Sequence, residues 1–215
     1  MKLFLTLLFA FSVVAGSYAD DKYEKAVKKN LEKMDTSRTA ADYMAVANAF
    51  ERIALAENAK WLPYYYASLN YVLASYSDSS NSQKDLYLDK ADGFINKADS
   101  LMPNNSEIYT LKGMIAQARM QVDPMSRWQK YGGEAQFNFQ KAMEADSLNP
   151  RPEYLIGVGV FYTPKQFGGG PDKAKPILEN SLRKYGLFVP ASDLMPRWGK
   201  QMVEQLLKQI GEMKQ

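Results

Sequence analysis

Two segments of the sequence place small residues seven positions apart and then end at a turn that contains Asn and Pro. Ala91 and Ala98 form the first pair, and Ala135 and Ala142 form the second. Residues at this spacing lie on one face of an α-helix, and small side chains there allow a neighbouring helix to approach closely. The repetition predicts helical hairpins that stack side by side.

The rest of the chain also follows a helical pattern. Apolar residues recur at spacings of three and four, and the sequence lacks the sustained apolar–polar alternation that would indicate strands. The predicted helices span Asp20–Met34, Thr39–Asn58, Trp61–Tyr76, Gln83–Leu101, Ser106–Gln121, Glu134–Asp146, Pro152–Tyr162, Asp172–Lys184 and Asp193–Met213, with an ordered insertion at Val122–Gly133. The predicted fold is therefore all-α: an α-solenoid of antiparallel helix pairs with a C-terminal capping helix.

The first 19 residues have the composition of a secretory signal peptide. Lys2 supplies a positive charge, Leu3–Val14 is almost entirely apolar, and Ser17–Ala19 provides small residues at a cleavage site. We predict cleavage before Asp20, which leaves residues 20–215 as a single helical-repeat domain. An uncleaved membrane anchor is the alternative, but the apolar run is shorter than the roughly 20 residues that span a bilayer.

Composition limits where the mature chain functions and what it binds. The 215 residues include no cysteine and no histidine, and the net charge is +3. Without cysteine the chain forms no disulfide and carries no thiol-linked lipid, which favours a soluble, exported protein of the bacterial periplasm. Balanced charge argues against nucleic-acid binding, and the mature sequence has no apolar stretch long enough to span a membrane.

The second helix of each predicted hairpin resembles the second helix of a tetratricopeptide repeat. That family places a small residue, a large residue four later, a small residue three after that, and then a proline. Three segments carry the pattern: Ala91–Pro103, Glu134–Pro150 and Asp172–Ser181. The preceding helices have the expected order of large and small residues, with Ser68, Gly113 and Gly159 in the small position.

The resemblance extends from Tyr43 to Tyr185, although insertions break the family's regular period. It implies a right-handed stack of helix pairs whose concave face is lined by the first helix of each pair. Exported versions include the periplasmic subunits that accompany some substrate-binding transporters, and the glycine-rich segment Phe167–Pro171 resembles those subunits. This second resemblance implies a ligand-binding subunit associated with a transporter.

The sequence argues against catalysis. Without histidine or cysteine, the chain lacks the commonest general base, the thiol nucleophile and the usual transition-metal ligands. A carboxylate pair for glycoside hydrolysis is the remaining enzymatic alternative, with Glu107 and Glu153 at comparable points of two first helices. Each also lies in a first turn, where a glutamate stabilises the helix dipole. We predict a protein that is not an enzyme and holds no cofactor and no metal ion.

Aromatic residues concentrate in the predicted helix Trp61–Tyr76, where they suit either a core or a binding surface. Tyr64, Tyr65 and Tyr66 together span about 200° of a helix, so we expect that they cannot all point inward. Tyr65 or Tyr66 is therefore either a core residue or a groove residue.

The leading hypothesis is a non-catalytic periplasmic scaffold that binds a protein or peptide partner in its concave groove. The candidate binding residues lie on the first helices: Tyr65, Leu69, Glu107, Thr110, Met114, Gln117, Glu153 and Val160. The alternative is a small-molecule site closed by the aromatic helix together with Arg127 and Trp128, with Arg119 adding to a rim that binds carboxylates. The sequence leaves the identity of the partner and the oligomeric state open.

Overall fold

The computed structural model describes residues 20–213, which are mostly helical and contain no strand. The helices are α1 (residues 20–36), α2 (Ala40–Ala56), α3 (Trp61–Ser77), α4 (Asn81–Leu101), α5 (Ser106–Val122), α6 (Pro124–Ala145), α7 (Arg151–Tyr162), α8 (Pro171–Leu187) and α9 (Lys200–Glu212). The all-α prediction is confirmed. None of these helices is long and apolar enough to cross a membrane. The predicted signal peptide lies outside the described residues.

Consecutive helices pair as antiparallel hairpins, and the hairpins stack so that α5 contacts both α3 and α7. We call these three the inner helices. Helices α4, α6 and α8 pack against them as an outer layer, α2 packs on α3, and α9 packs against α8. This arrangement is the predicted α-solenoid, and α9 stands at its C-terminal end as the cap.

In two of the hairpins, a glycine on the inner helix allows a side chain of the outer helix to pack closely against the backbone. Gly113 of α5 lies so close to the Phe139 ring of α6 that a Cβ atom there would overlap the ring. A Cβ on Gly157 of α7 would lie 2.6 Å from Leu178 Cδ2 of α8. The predicted small position of α7, Gly159, does not contact α8 but faces α5. Phe139 and Leu178 of the outer layer thus occupy the space that a side chain at Gly113 or Gly157 would need.

Helix α3 has neighbours on several sides, because α2, α4 and α5 all pack against it. Tyr64, Tyr65 and Tyr66 are consequently all buried. The expectation that the three cannot all point inward is wrong, since a helix surrounded by others has no single inward side. Of the two alternatives for Tyr65 and Tyr66, burial in the core is the one observed.

The predicted insertion at Val122–Gly133 is wrong, because Val122 ends α5 and residues 124–133 form the start of α6. Pro124 is the first residue of that helix, where a backbone N–H has no partner within the helix, so the absence of an N–H in proline costs no hydrogen bond. The Asp123 side chain accepts a hydrogen bond from the Ser126 N–H and caps the helix. The chain therefore passes from α5 to α6 with a single residue between them.

The last helix begins at Lys200 and not at the predicted Asp193. Residues 188–199 form instead a non-helical segment, which we call the strap. The strap ends at Gly199, whose φ of 105° is a conformation that favours glycine. A Cβ at this position would also overlap the Tyr185 hydroxyl.

We expect Gly113→Ala to lower the free energy of unfolding by about 1–3 kcal/mol, because the new methyl group overlaps a buried ring that has little room to move. Gly93→Ala is the matched control, since a Cβ at this helical position in α4 meets nothing within 4 Å. The control should raise stability by about 0.5–1 kcal/mol through helix propensity alone. Urea unfolding measures both changes, and equal effects of the two substitutions would contradict the packing account.

Candidate functional site

The strap lies across the N-terminal ends of the inner helices, which we call the upper half of the inner face. The Tyr66 hydroxyl of α3 donates a 2.7 Å hydrogen bond to the Leu194 carbonyl. Trp198 Nε1 donates to the Tyr65 hydroxyl at 2.9 Å, and the Tyr185 hydroxyl of α8 donates to the Trp198 carbonyl at 3.0 Å. The strap therefore closes the upper half and covers two tyrosines of α3.

Arg151, at the start of α7, lies beneath the strap and is only 1% exposed. Its Nη1 lies 2.7 Å from Glu107 Oε1 of α5, and its Nη2 donates to the Pro196 carbonyl of the strap. The guanidinium carbon lies 5.3 Å from the ring centres of both Phe188 and Trp198. A buried charge is stable only when it is paired and hydrogen-bonded in this way. Arg151 thus joins α5, α7 and the strap.

Glu107 is the anionic partner of this buried pair and is 4% exposed. Besides the Arg151 contact, it accepts a hydrogen bond from Asn149 Nδ2 at 3.1 Å and one from the Tyr65 hydroxyl at 3.4 Å. Burial raises the pKa of the Glu107 carboxyl, and the Arg151 guanidinium opposes that shift. With three donors around it, this carboxylate has a structural role.

The predicted binding residues divide into a buried group and a partly exposed group. The buried residues are Tyr65, Leu69, Glu107, Thr110 and Met114. The partly exposed residues are Gln117, Glu153 and Val160. Buried side chains contact neighbouring helices or the strap and have no free surface for a partner in this conformation. A direct binding role stays a prediction for the partly exposed group.

The two glutamates of the glycosidase alternative do not face each other as a free pair. Glu107 is bound by Arg151 beneath the strap. Glu153 Oε1 lies 2.9 Å from Lys184 Nζ of α8, and Glu153 Oε2 accepts a 2.7 Å hydrogen bond from Asn180. Each carboxylate thus has its own basic partner, and these contacts give it a structural role that needs no catalytic function.

The predicted carboxylate-binding rim is wrong, because its arginines already bind aspartates of α4. Arg119 Nη2 lies 2.7 Å from Asp89 and 2.6 Å from Asp92. Arg127 Nη1 lies 2.7 Å from Asp85, and this hydrogen bond lowers the pKa of the Asp85 carboxyl. These contacts join α5 and α6 to α4 and leave neither guanidinium free for a ligand.

Three tyrosines of the inner helices, which we call the tyrosine cluster, lie between the edge of the strap and the C-terminal ends of these helices, which we call the lower half. They are Tyr76 of α3 and Tyr154 and Tyr162 of α7. Tyr76 is 40% exposed and Tyr162 is 71% exposed, while the buried Tyr154 ring packs edge-on against Trp198 with centroids 6.2 Å apart. Sequence reasoning did not group these residues, although two of them end comparable helices.

Burial controls the ionisation of two members of the tyrosine cluster. It raises the pKa of Tyr154 to about 12, and the nearby Tyr162 adds to the shift. It also raises the pKa of Tyr76, with Tyr154 contributing, although the Tyr76 ring is partly exposed. The Tyr76 hydroxyl donates to the Met114 carbonyl at 3.4 Å. Both phenols are therefore neutral at physiological pH.

The inner helices carry no charged side chain without a partner of opposite sign. Helix α3 contains no charged residue at all. In α5 and α7 the pairs are Glu107 with Arg151, Lys112 with Asp99, Arg119 with Asp92, and Glu153 with Lys184. Gln117 lies on α5, the helix between α3 and α7, and its Nε2 donates a 3.1 Å hydrogen bond to the Leu155 carbonyl of α7. The lower half is thus neutral and aromatic.

We expect Arg151→Met to destabilise the protein by about 3–5 kcal/mol, because it leaves the Glu107 carboxylate buried without its cation. The double variant Glu107→Gln/Arg151→Met removes both charges and should recover much of this loss. Equilibrium urea unfolding of the two variants measures the difference. A double variant that is less stable than Arg151→Met would contradict the assignment of the loss to an unpaired buried charge.

No family model and no curated protein matches the chain. Among solved structures, the HusA haemophore from Porphyromonas gingivalis is similar, with 34% sequence identity and a TM-score of 0.79. The match covers 90% of this chain and 94% of the HusA chain. Identity at this level over nearly the full length of both chains, together with the same fold, means that this protein belongs to the same family as HusA.

Proposed function

We propose that this protein binds haem or a related porphyrin on the lower half of its inner face and acts as an exported carrier without catalytic activity. The single observation that carries the proposal is the 34% identity, over 90% of the chain, to the HusA haemophore. Of the two hypotheses that the sequence raised, this favours the small-molecule ligand. The signal-peptide pattern supports export to the periplasm, and we interpret the hairpins as divergent tetratricopeptide repeats.

The chemistry of the lower half suits a flat apolar ring. Tyr76 and Tyr162 offer aromatic surface to solvent, with 40% and 71% exposure, and aromatic side chains stack well on other π-systems. The charged residues of the neighbouring inner helices are paired within the protein. A porphyrin would therefore place its macrocycle against the tyrosines and leave its carboxylates in water, where they cost no desolvation.

The protein offers few ligands for the iron of a haem. The chain has no histidine and no cysteine, which leaves tyrosine and methionine among the usual axial ligands. Tyr154, with a pKa raised to about 12, stays protonated and is covered by the strap. Tyr162, as the most exposed phenol of the cluster, is the residue best placed to reach an iron atom. Contact with the ring should thus supply most of the affinity.

A haem titration followed by the Soret band tests this proposal. We expect saturable binding by the wild-type protein, because the tyrosines change the environment of the ring. Tyr76→Ala and Tyr162→Ala should each weaken binding about threefold to tenfold, since one aromatic contact contributes about 0.5–1.5 kcal/mol beyond its buried area. The double variant should weaken binding further.

Phe137→Ala is the matched control, because Phe137 is similarly exposed, at 61%, but lies on the outer helix α6. It should bind haem as the wild type does. Metal-free protoporphyrin should also bind and respond to the same substitutions, because the proposed contacts are to the ring. Failure of the wild type to bind either compound would contradict the proposed function, and equal losses in Phe137→Ala and Tyr162→Ala would contradict the site.

A further inference from the structure

Three side chains donate hydrogen bonds to alternate carbonyl groups of the strap. Tyr66 binds the carbonyl of residue 194, Arg151 that of residue 196, and Tyr185 that of residue 198. Residues 193 and 194 form a turn, in which the Met195 N–H donates to the Ser192 carbonyl. The three donors therefore hold the end of this turn and the irregular segment that follows it.

The side chains of the strap alternate in the same way. Leu194 is 8% exposed and Pro196 is buried, and the Trp198 ring packs on Arg151. Arg197, between the last two, has a side chain that is 60% exposed. When a protein binds a peptide, hydrogen bonds to the main chain supply affinity and pockets for side chains supply specificity.

The three donors belong to the helical framework and not to the strap. Tyr66 lies in α3, Arg151 in α7 and Tyr185 in α8, and each helix is held by its packing against others. Under the first part of the strap remains a cavity of about 280 Å³, lined by residues that include Asn105, Asn149, Phe188 and Met195. The strap is thus anchored chiefly from residue 194 to residue 198, on a surface that the helices build.

We infer that the upper half of the inner face is a peptide-binding groove and that its occupant is the chain's own strap. Because the strap is joined to α8 and α9, its effective concentration at the groove is on the order of millimolar or higher. A separate peptide with the same contacts cannot displace it at micromolar concentration. The groove would bind a segment that forms the same turn and carries apolar residues at alternate positions, as in Leu194, Pro196 and Trp198.

A peptide supplied in trans tests this inference on the full-length mature protein. The variant Leu194→Gly/Trp198→Gly removes the two apolar anchors and frees the groove while the donors remain. A fluorescent peptide that copies residues 188–199 should bind this variant at least tenfold more tightly than it binds the wild type. A control peptide with glycine at the positions of Leu194 and Trp198 should not bind either protein. Fluorescence anisotropy measures all four combinations.

Equal binding of the native-sequence peptide to the wild type and to the folded variant, or no binding to either, would overturn the inference. Circular dichroism establishes that the variant keeps its helix content. Neither arm of this experiment uses a porphyrin, so its result is independent of the proposed haem site.

Limited trypsin digestion of the wild type keeps the inference testable if the variant does not fold. Lys165 and Arg197 have exposed side chains, at 76% and 60%. Only at Arg197 do the flanking carbonyl groups bind framework donors. Cleavage after Lys165 should therefore precede cleavage after Arg197. Cleavage after Arg197 first would contradict a strap held in a groove.

Discussion

The buried guanidinium of Arg151 is the interaction on which the inner face depends. A charge at 1% exposure must find its acceptors inside the protein, and here they come from Glu107 of α5 and from the Pro196 carbonyl of the strap. One side chain thereby fixes the spacing of two inner helices and the position of a segment that is distant in sequence. Aromatic side chains such as Trp198 pack around the guanidinium and shield it from solvent.

The division of the inner face into two halves follows from this arrangement. The upper half is filled by the strap, so the tyrosines near the helix N-termini serve the core. The lower half stays open, and it carries Tyr76 and Tyr162 without an unpaired charge on the inner helices. The stacked hairpins therefore present a small aromatic surface in the lower half, and they do not leave the whole inner face open as a groove for a polypeptide. The similarity to a haemophore and the chemistry of this surface both support the proposed porphyrin ligand.

Local sequence patterns predicted the helices and their pairing, because amphipathic periodicity and small residues such as Gly113 act over a few turns. They failed at the strap. Leu194, Met195 and Trp198 have helical spacing, yet the chain there forms a turn and an irregular segment, because partners far away in sequence bind its carbonyl groups. The candidate site could not be predicted for the same reason. Tyr65 is buried partly by the strap, and a local sequence pattern does not indicate that a distant segment covers it. The tyrosine cluster forms only when α3 and α7 are placed in one stack.

The most direct test of this account is to map the porphyrin on the protein by NMR. Adding metal-free protoporphyrin to the isotope-labelled protein produces ring-current shifts in the residues that the macrocycle contacts. We predict the largest shifts at Tyr76, Gln117 and Tyr162, with the resonances of residues 194–198 little changed because the strap keeps its position. Largest shifts in the strap or in the outer helices, with the lower half unaffected, would contradict it.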